Sequence, residues 1–197
     1  MNLANRLTIF RIILIPIIVL IYVFPYAQFG ITEGYVKVDT VLLYHKNIAI
    51  LILFAIASFT DFLDGYLARS RNMITTFGKF LDPIADKMLV NTLLIIFVSQ
   101  QTVPLVAVLI MIWRDTVVDA LRMLLSQRGI VLAAGYFGKV KTVAQMLAII
   151  LVLLGNLPFE LYGIPVSSIM IWFATLMSLL SGVSYVLQSR SLFMTNE

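Results

Sequence analysis

The chain has 197 residues, of which 61% are apolar and only 12% charged, with a net charge of +4. A soluble domain carries roughly 25% charged residues, so this composition excludes a water-covered globule and predicts an all-α polytopic membrane protein. The absence of cysteine excludes a disulfide framework and a thiolate metal site, and the basic residues are too scattered between apolar segments to form a nucleic-acid surface, though they suit anionic lipid headgroups.

Taken in chain order, six stretches approach the roughly 20 apolar residues that cross a bilayer: Leu7–Ala27, Asn47–Ala68, Pro83–Ser99, Val103–Leu125, Lys139–Leu157 and Ser167–Leu187. The first has a basic flank (Arg6, Arg11) like that of a signal peptide, but no small-residue cleavage site follows and further spans do, so it reads as a retained helix. Between the first two spans lies a segment, Gln28–Lys46, for which the sequence suggests no role. A short turn at Gln100–Thr102 joins the third and fourth spans, and Pro158, Gly163 and Pro165 mark a turn before the last. No repeat or linker divides the chain, so one membrane domain over residues 1–197 is expected.

Six spans put both termini on one side. Arg6, Arg11, Arg69, Arg71, Lys79, Lys87, Arg114, Arg122, Arg128, Lys139, Lys141 and Arg190 fall on that side, against Lys37 and Lys46 on the other. The positive-inside rule therefore assigns both termini to the cytoplasm.

Four of the ten acidic residues sit between two apolar stretches: Asp61, Asp64, Asp82 and Asp86. Carboxylates near hydrocarbon are costly unless paired, hydrated or cation-bound. Asp61, Asp64, Gly65 and Ala68 recur at i, i+3, i+4 and i+7, and Gly78, Asp82 and Asp86 at i, i+4 and i+8, so each set shares one helical face. Ser70–Phe77 is polar enough to turn the chain between the two helices, and Asp82 before Pro83 has the form of a helix N-cap with a first-turn proline. An antiparallel pair with converging carboxylates is expected, with Gly65, Ala68 and Gly78 leaving room on the same faces and Arg69 within reach of a phosphate. Oxygen-only ligands favour Mg²⁺ or Mn²⁺, and two such ions about 3.5–4 Å apart would clamp a phosphoryl group undergoing displacement. Helix caps with intramembrane ion pairs, or an ion-coupled transporter, are the alternative readings of the same charges.

The run D61-F-L-D64-G65-Y-L-A68-R69, then eight residues, then G78-K-F-L-D82-P-I-A-D86, resembles the signature of the CDP-alcohol phosphatidyltransferases, D-x2-D-G-x2-A-R-x8-G-x3-D-x3-D, at all eight fixed positions. The resemblance implies a membrane enzyme that moves a phosphatidyl group from a CDP-linked lipid to an alcohol. It further implies that Asp61, Asp64, Asp82 and Asp86 are metal ligands, with Asp86 also the general base. Asp61, Asp64, Gly65, Ala68, Arg69, Gly78 and Asp82 would form the CDP-binding side, with Arg69 on the donor diphosphate. A homodimer in the cell membrane, with its site at the cytoplasmic face, completes the expectation.

Further along, Arg114, Asp115, Asp119 and Arg122 occupy the fourth stretch, where Asp115, Asp119 and Arg122 share a face and could pair with one another. The run A133-A134-G135-Y-F-G138-K139-V-K141-T142 follows. Glycines leading into two lysines at a helix start can seat a phosphate, although the run is not a Walker loop and Lys139 and Lys141 could equally be snorkelling anchors. With N2-L-A-N5-R-L-T8-I-F-R11 and F80-L-D82-P-I-A-D86-K87, these pieces resemble the branch of the family whose acceptor is glycerol 3-phosphate. That resemblance implies Arg114, Arg122, Lys139 and Lys141 as cations for the acceptor phosphate. Sister enzymes of the family would use serine or inositol phosphate instead.

Overall fold

The computed structural model describes residues 3–70, 76–127, 129–130 and 135–194. Six α-helices stand among them: α1 (Leu3–Val23), α2 (His45–Ser70), α3 (Thr76–Ser99), α4 (Leu105–Gln127), α5 (Tyr136–Leu153) and α6 (Val166–Met194). Two short strands, β1 (Tyr35–Val38) and β2 (Val41–Tyr44), separate α1 from α2. The chain forms two compact units, one of Met1–Ile96 with Leu153–Gly163, the other of Phe97–Val152 with Ile164–Glu197.

Among the described residues, four helices are long and apolar enough to cross a membrane, over Asn5–Val23, His45–Gly65, Tyr136–Leu153 and Val166–Arg190. Six had been expected. The difference lies in α3 and α4, whose charges are concentrated: Asp82, Asp86 and Lys87 in one, Arg114, Asp115, Asp119 and Arg122 in the other. Charged side chains are the most unfavourable groups in hydrocarbon, so neither helix offers a long uninterrupted apolar window.

In the first unit, α1 buries Asn5, Thr8, Arg11, Ile15 and Ile18, spaced three or four residues apart. The matching stripe of α2 is Ile50, Phe54, Ala57, Thr60 and Asp64. Both stripes are apolar over most of their length and polar at one end, the start of α1 and the end of α2, so the two helices pack antiparallel with like ends together. Thr60 satisfies its hydroxyl by donating to the carbonyls of Ile56 (2.7 Å) and Ala57 (2.8 Å), which leaves the acidic groups beyond it to find other partners. The helix α1 stops at Val23 because Phe24 precedes Pro25, and a residue before proline disfavours the helical region.

The Gln28–Lys46 segment is more ordered than a connection requires. β1 and β2 form an antiparallel hairpin with Tyr35 opposite Tyr44 and Val38 opposite Val41, turned by Asp39 at φ 53°. Aspartate tolerates that left-handed conformation, and Val and Tyr favour the flanking strands. Lys46 Nζ then pairs with Glu33 at 2.8 Å, tying the loop to the start of α2.

In α3 the helix already begins at Thr76 and carries Pro83 inside it. The expectation that Asp82 caps the helix is therefore corrected. The helix runs through the proline, at the loss of one backbone hydrogen bond, and Asp82 projects from the helical surface instead. The rest of α3 packs through Ala85, Leu89, Leu93 and Leu94, all buried.

The second unit is built on α4, α5 and α6. α4 buries Ala107, Met111, Asp115, Val118 and Leu125, again at helical spacing. α6 offers Ile171, Ala174, Ser178, Ser181, Tyr185 and Ser189, all buried. Small residues on α6 let α4 approach closely; a Cβ on Gly182 would stand 3.0 Å from Arg114 Cγ.

Candidate functional site

The polar ends of α1 and α2 meet around one guanidinium. Arg11 Nη1 lies 2.6 Å from Asp61 Oδ1 and Nη2 lies 2.6 Å from Asp64 Oδ2. The i, i+3 spacing sets the two carboxylates one turn apart, which the rigid fork of an arginine can span and a lysine cannot. The Arg11 side chain is fully buried and that of Asp64 nearly so, whereas Asp61 keeps 38% of its side chain exposed. Asp61 thus faces outward from a cluster whose base is closed. Thr8, one turn before Arg11, donates its hydroxyl to Asp82 Oδ1 at 2.6 Å and sits 3.4 Å from Asp64 Oδ2. Three of the expected aspartates, from two helices, are in this way gathered by the first turns of a third.

The resemblance implies divalent cations here, and the residues present fit such ions in donor chemistry. All the acidic ligands are carboxylate oxygens, the ligand type of hard cations, and the contacts just described set one guanidinium against three carboxylates, an excess of negative charge. Among the described residues, no three histidine or carboxylate side chains stand close enough to form a ready metal cage; Arg11 and Thr8 lie between them. Asp86 follows one turn beyond Asp82 on α3 and is half-buried. Gly65 is half-buried on α2 beside Asp64. Ala68 and Arg69 fall on α2 and Gly78 on α3, but their side chains lie outside the described residues, as do Ala133 and Ala134.

A second cluster occupies the other unit. Asp115, buried on α4, accepts from Lys141 Nζ on α5 at 2.8 and 2.6 Å and from Arg114 Nη1 at 2.8 Å. The alternative pairing of Asp115 with Arg122 along α4 is not the one adopted; Asp115 takes Lys141 and Arg114. Lys141 is itself buried, so its charge is compensated from within, as a buried charge must be. Arg114 Nη2 donates to the Ser181 hydroxyl of α6. Arg122 Nη2 donates to the Tyr185 hydroxyl, which also accepts from the Gly135 amide at 3.1 Å. The Tyr185 ring lies 4.9 Å from the Arg122 guanidinium carbon and 5.6 Å from that of Arg114, within cation–π range. Arg122 and Lys139 are exposed and so are the basic groups of this set most open to a ligand from outside.

Thr8, Arg11, Ser181 and Tyr185 carry these contacts, and the sequence assigned none of them a place in either cluster. Thr8 and Arg11 left a signal: two polar residues on one face at the start of an apolar helix. Ser181 and Tyr185 left none, since small hydroxyls and aromatics are ordinary in membrane helices.

Comparison with known proteins bears on the same residues. Residues 1–180 match the profile of a family described as CDP-alcohol phosphatidyltransferase. A protein of Bacillus subtilis named CDP-diacylglycerol–glycerol-3-phosphate 3-phosphatidyltransferase is 43% identical over 184 residues, covering 93% of each chain. Proteins of the same name from Rickettsia typhi (34% identical over 193 residues, 98% of this chain and 99% of that one) and Haemophilus influenzae (34% over 204 residues, 99% and 97%) are similar along nearly their whole length. A profile match over residues 1–180, with relatives 34–43% identical along 93–99% of this chain, leaves one conclusion: the chain belongs to the CDP-alcohol phosphatidyltransferase family.

Proposed function

We propose that this protein transfers the phosphatidyl group of CDP-diacylglycerol to sn-glycerol 3-phosphate, giving phosphatidylglycerophosphate and CMP. The observation that carries the reading is the gathering of Asp61, Asp64 and Asp82 around Thr8 and Arg11, in a chain 43% identical to a relative of that name.

The acyl chains of the donor stay in the bilayer and its cytidine diphosphate lies at the cytoplasmic surface, over Gly65, Ala68 and Gly78, with Arg69 on the diphosphate. Divalent cations, Mg²⁺ or Mn²⁺, held by Asp61, Asp64, Asp82 and Asp86, would supply neutralisation of the diphosphate charge. Asp86 accepts the proton of the acceptor hydroxyl. The freed oxygen forms a bond to the phosphorus that bears diacylglycerol, the bond from that phosphorus to the bridging oxygen breaks, and CMP departs with the electron pair. Arg122 and Lys139, both exposed, meet the acceptor phosphate directly. Arg114 and Lys141, tied to Asp115, hold the floor beneath it and contribute field rather than contact.

Both termini lie on the cytoplasmic side in this reading, and α3 and α4 also cross the membrane. Their 24 and 23 residues reach about 36 and 34 Å at about 1.5 Å per residue, beyond the roughly 30 Å of hydrocarbon, so both helices are long enough to cross. The family resemblance adds a homodimer, which cross-linking in native membranes tests.

A panel of acceptors offered with CDP-diacylglycerol tests the acceptor. Product with glycerol 3-phosphate and none with serine or inositol phosphate is expected; the reverse would move the chain to a sister activity.

A further inference from the structure

One exposed cation of the second cluster, Arg122, is held by a buried residue on a different helix. Arg122 projects from α4 to the surface, where a free arginine would sample many rotamers and would lose that freedom on binding an anion. It is not free. Its Nη2 donates to the hydroxyl of Tyr185 on α6, and its guanidinium carbon lies 4.9 Å from the centre of the same ring. Tyr185 is only 3% exposed, and the same oxygen accepts from the Gly135 amide at 3.1 Å, just before α5 begins at Tyr136. One helical turn below, Ser181 takes the Nη2 donor of Arg114, and Gly182 gives Arg114 the room to lie flat against α6.

We propose that Tyr185 is a positioning residue for the acceptor. Its hydroxyl and ring fix the Arg122 guanidinium beside the start of α5 and thereby set the preference for an acceptor that carries a phosphate. Tyr185 does not touch the reacting atoms. It removes, in advance, the disorder that the arginine would otherwise lose on binding. Ser181 does the same for Arg114. This inference rests on the acceptor reading of Arg122 proposed above.

The test is steady-state kinetics of the purified full-length protein in detergent–lipid micelles, with glycerol 3-phosphate and CDP-diacylglycerol varied in turn. Tyr185→Phe keeps the ring and removes the hydroxyl. It is expected to raise the KM for glycerol 3-phosphate about tenfold, equivalent to about 1.4 kcal/mol, with the KM for CDP-diacylglycerol within about twofold. The double variant Tyr185→Phe/Arg122→Ala should be no worse than Arg122→Ala alone. If Arg122→Ala raises the acceptor KM and Tyr185→Phe does not, the positioning role is overturned while the acceptor reading stands. If neither raises it, the acceptor reading itself fails and the inference falls with it. Equal increases for donor and acceptor would mark a merely structural tyrosine and also overturn the proposal. Should Tyr185→Phe not accumulate, Ser181→Ala provides the second reading: a rise confined to the acceptor KM is expected, and an unchanged KM refutes the claim that α6 orders the acceptor cations.

Discussion

Replacing Arg11 by methionine keeps much of the side-chain volume and removes the charge around which the acidic site is arranged. In the native chain the guanidinium is fully buried and lies 2.6 Å from both Asp61 and Asp64. The two carboxylates respond differently to its loss. Asp61, 38% exposed at the side chain, can rehydrate, and its share is that of a surface pair, under about 1 kcal/mol. Asp64 is almost completely buried, and the partners left to it are neutral: the Gly65 amide and the Thr8 hydroxyl, which is 3.4 Å away and already committed to Asp82 at 2.6 Å. Stranding a buried charge in this way costs about 3–5 kcal/mol. A total near 4 kcal/mol, at about 2–4 °C per kcal/mol for a chain of this size, lowers the melting temperature by about 8–16 °C. Thermal unfolding in detergent with a chelator present, followed by far-UV circular dichroism, reads this directly. The double variant Arg11→Met/Asp64→Asn should recover at least half of the loss, because the stranded charge is gone. A melting temperature within about 2 °C of the native protein, or single-variant losses that simply add in the double variant, would refute the pairing.

The same physics makes four further predictions. Asp86→Asn should leave the protein folded and abolish transfer; near-normal turnover would remove Asp86 from the role of base. Chelation of divalent ions should stop CMP release from the native protein, with Mg²⁺ or Mn²⁺ restoring it, and activity that survives thorough chelation would contradict the ligand set. Lys141→Met takes one of two cations from Asp115 and leaves Arg114 at 2.8 Å; a loss of about 1–3 kcal/mol, or about 2–12 °C, is expected in thermal unfolding, partly recovered by Lys141→Met/Asp115→Asn. Gly182→Leu would drive a side chain into Arg114, whose Cγ stands 3.0 Å from the position of a Cβ there, and should cost about 1–3 kcal/mol by the same assay; a neutral effect would mean that α4 and α6 do not cross as closely as described.

The meeting of Asp61, Asp64 and Asp82 was legible because charge is rare in this chain. Four aspartates at helical intervals stand out against 61% apolar residues, and their grouping on α2 and α3 follows from spacing alone. The partner of those aspartates was not legible in the same way. Arg11 reads as a topology signal, and only packing reveals that the stripe Thr8, Arg11, Ile15, Ile18 turns the guanidinium inward. Helix ends were displaced for a related reason. Hydropathy locates the hydrocarbon-facing part of a helix, whereas backbone hydrogen bonding locates its ends, so α1 begins at Leu3 and α6 runs on to Met194. Asp82–Pro83 carries the local signature of a helix start, yet packing of Ala85, Leu89 and Leu93 holds a helix that had already begun. The hairpin was hidden in a segment read for charge; its Val- and Tyr-containing runs on either side of Asp39 are a strand signal only when the turn is recognised. Lys141 and Asp115, twenty-six residues apart in sequence, meet only through the packing of α5 on α4.

The most direct measurement is CMP release from CDP-diacylglycerol by the purified protein, with glycerol 3-phosphate and Mg²⁺ each supplied or withheld, alongside the Asp82→Asn variant. Release that requires both additions and vanishes in the variant is the predicted result. Release at the native rate without the acidic side chain, or none from the folded native protein under any of these conditions, would contradict phosphatidyl transfer at this cluster.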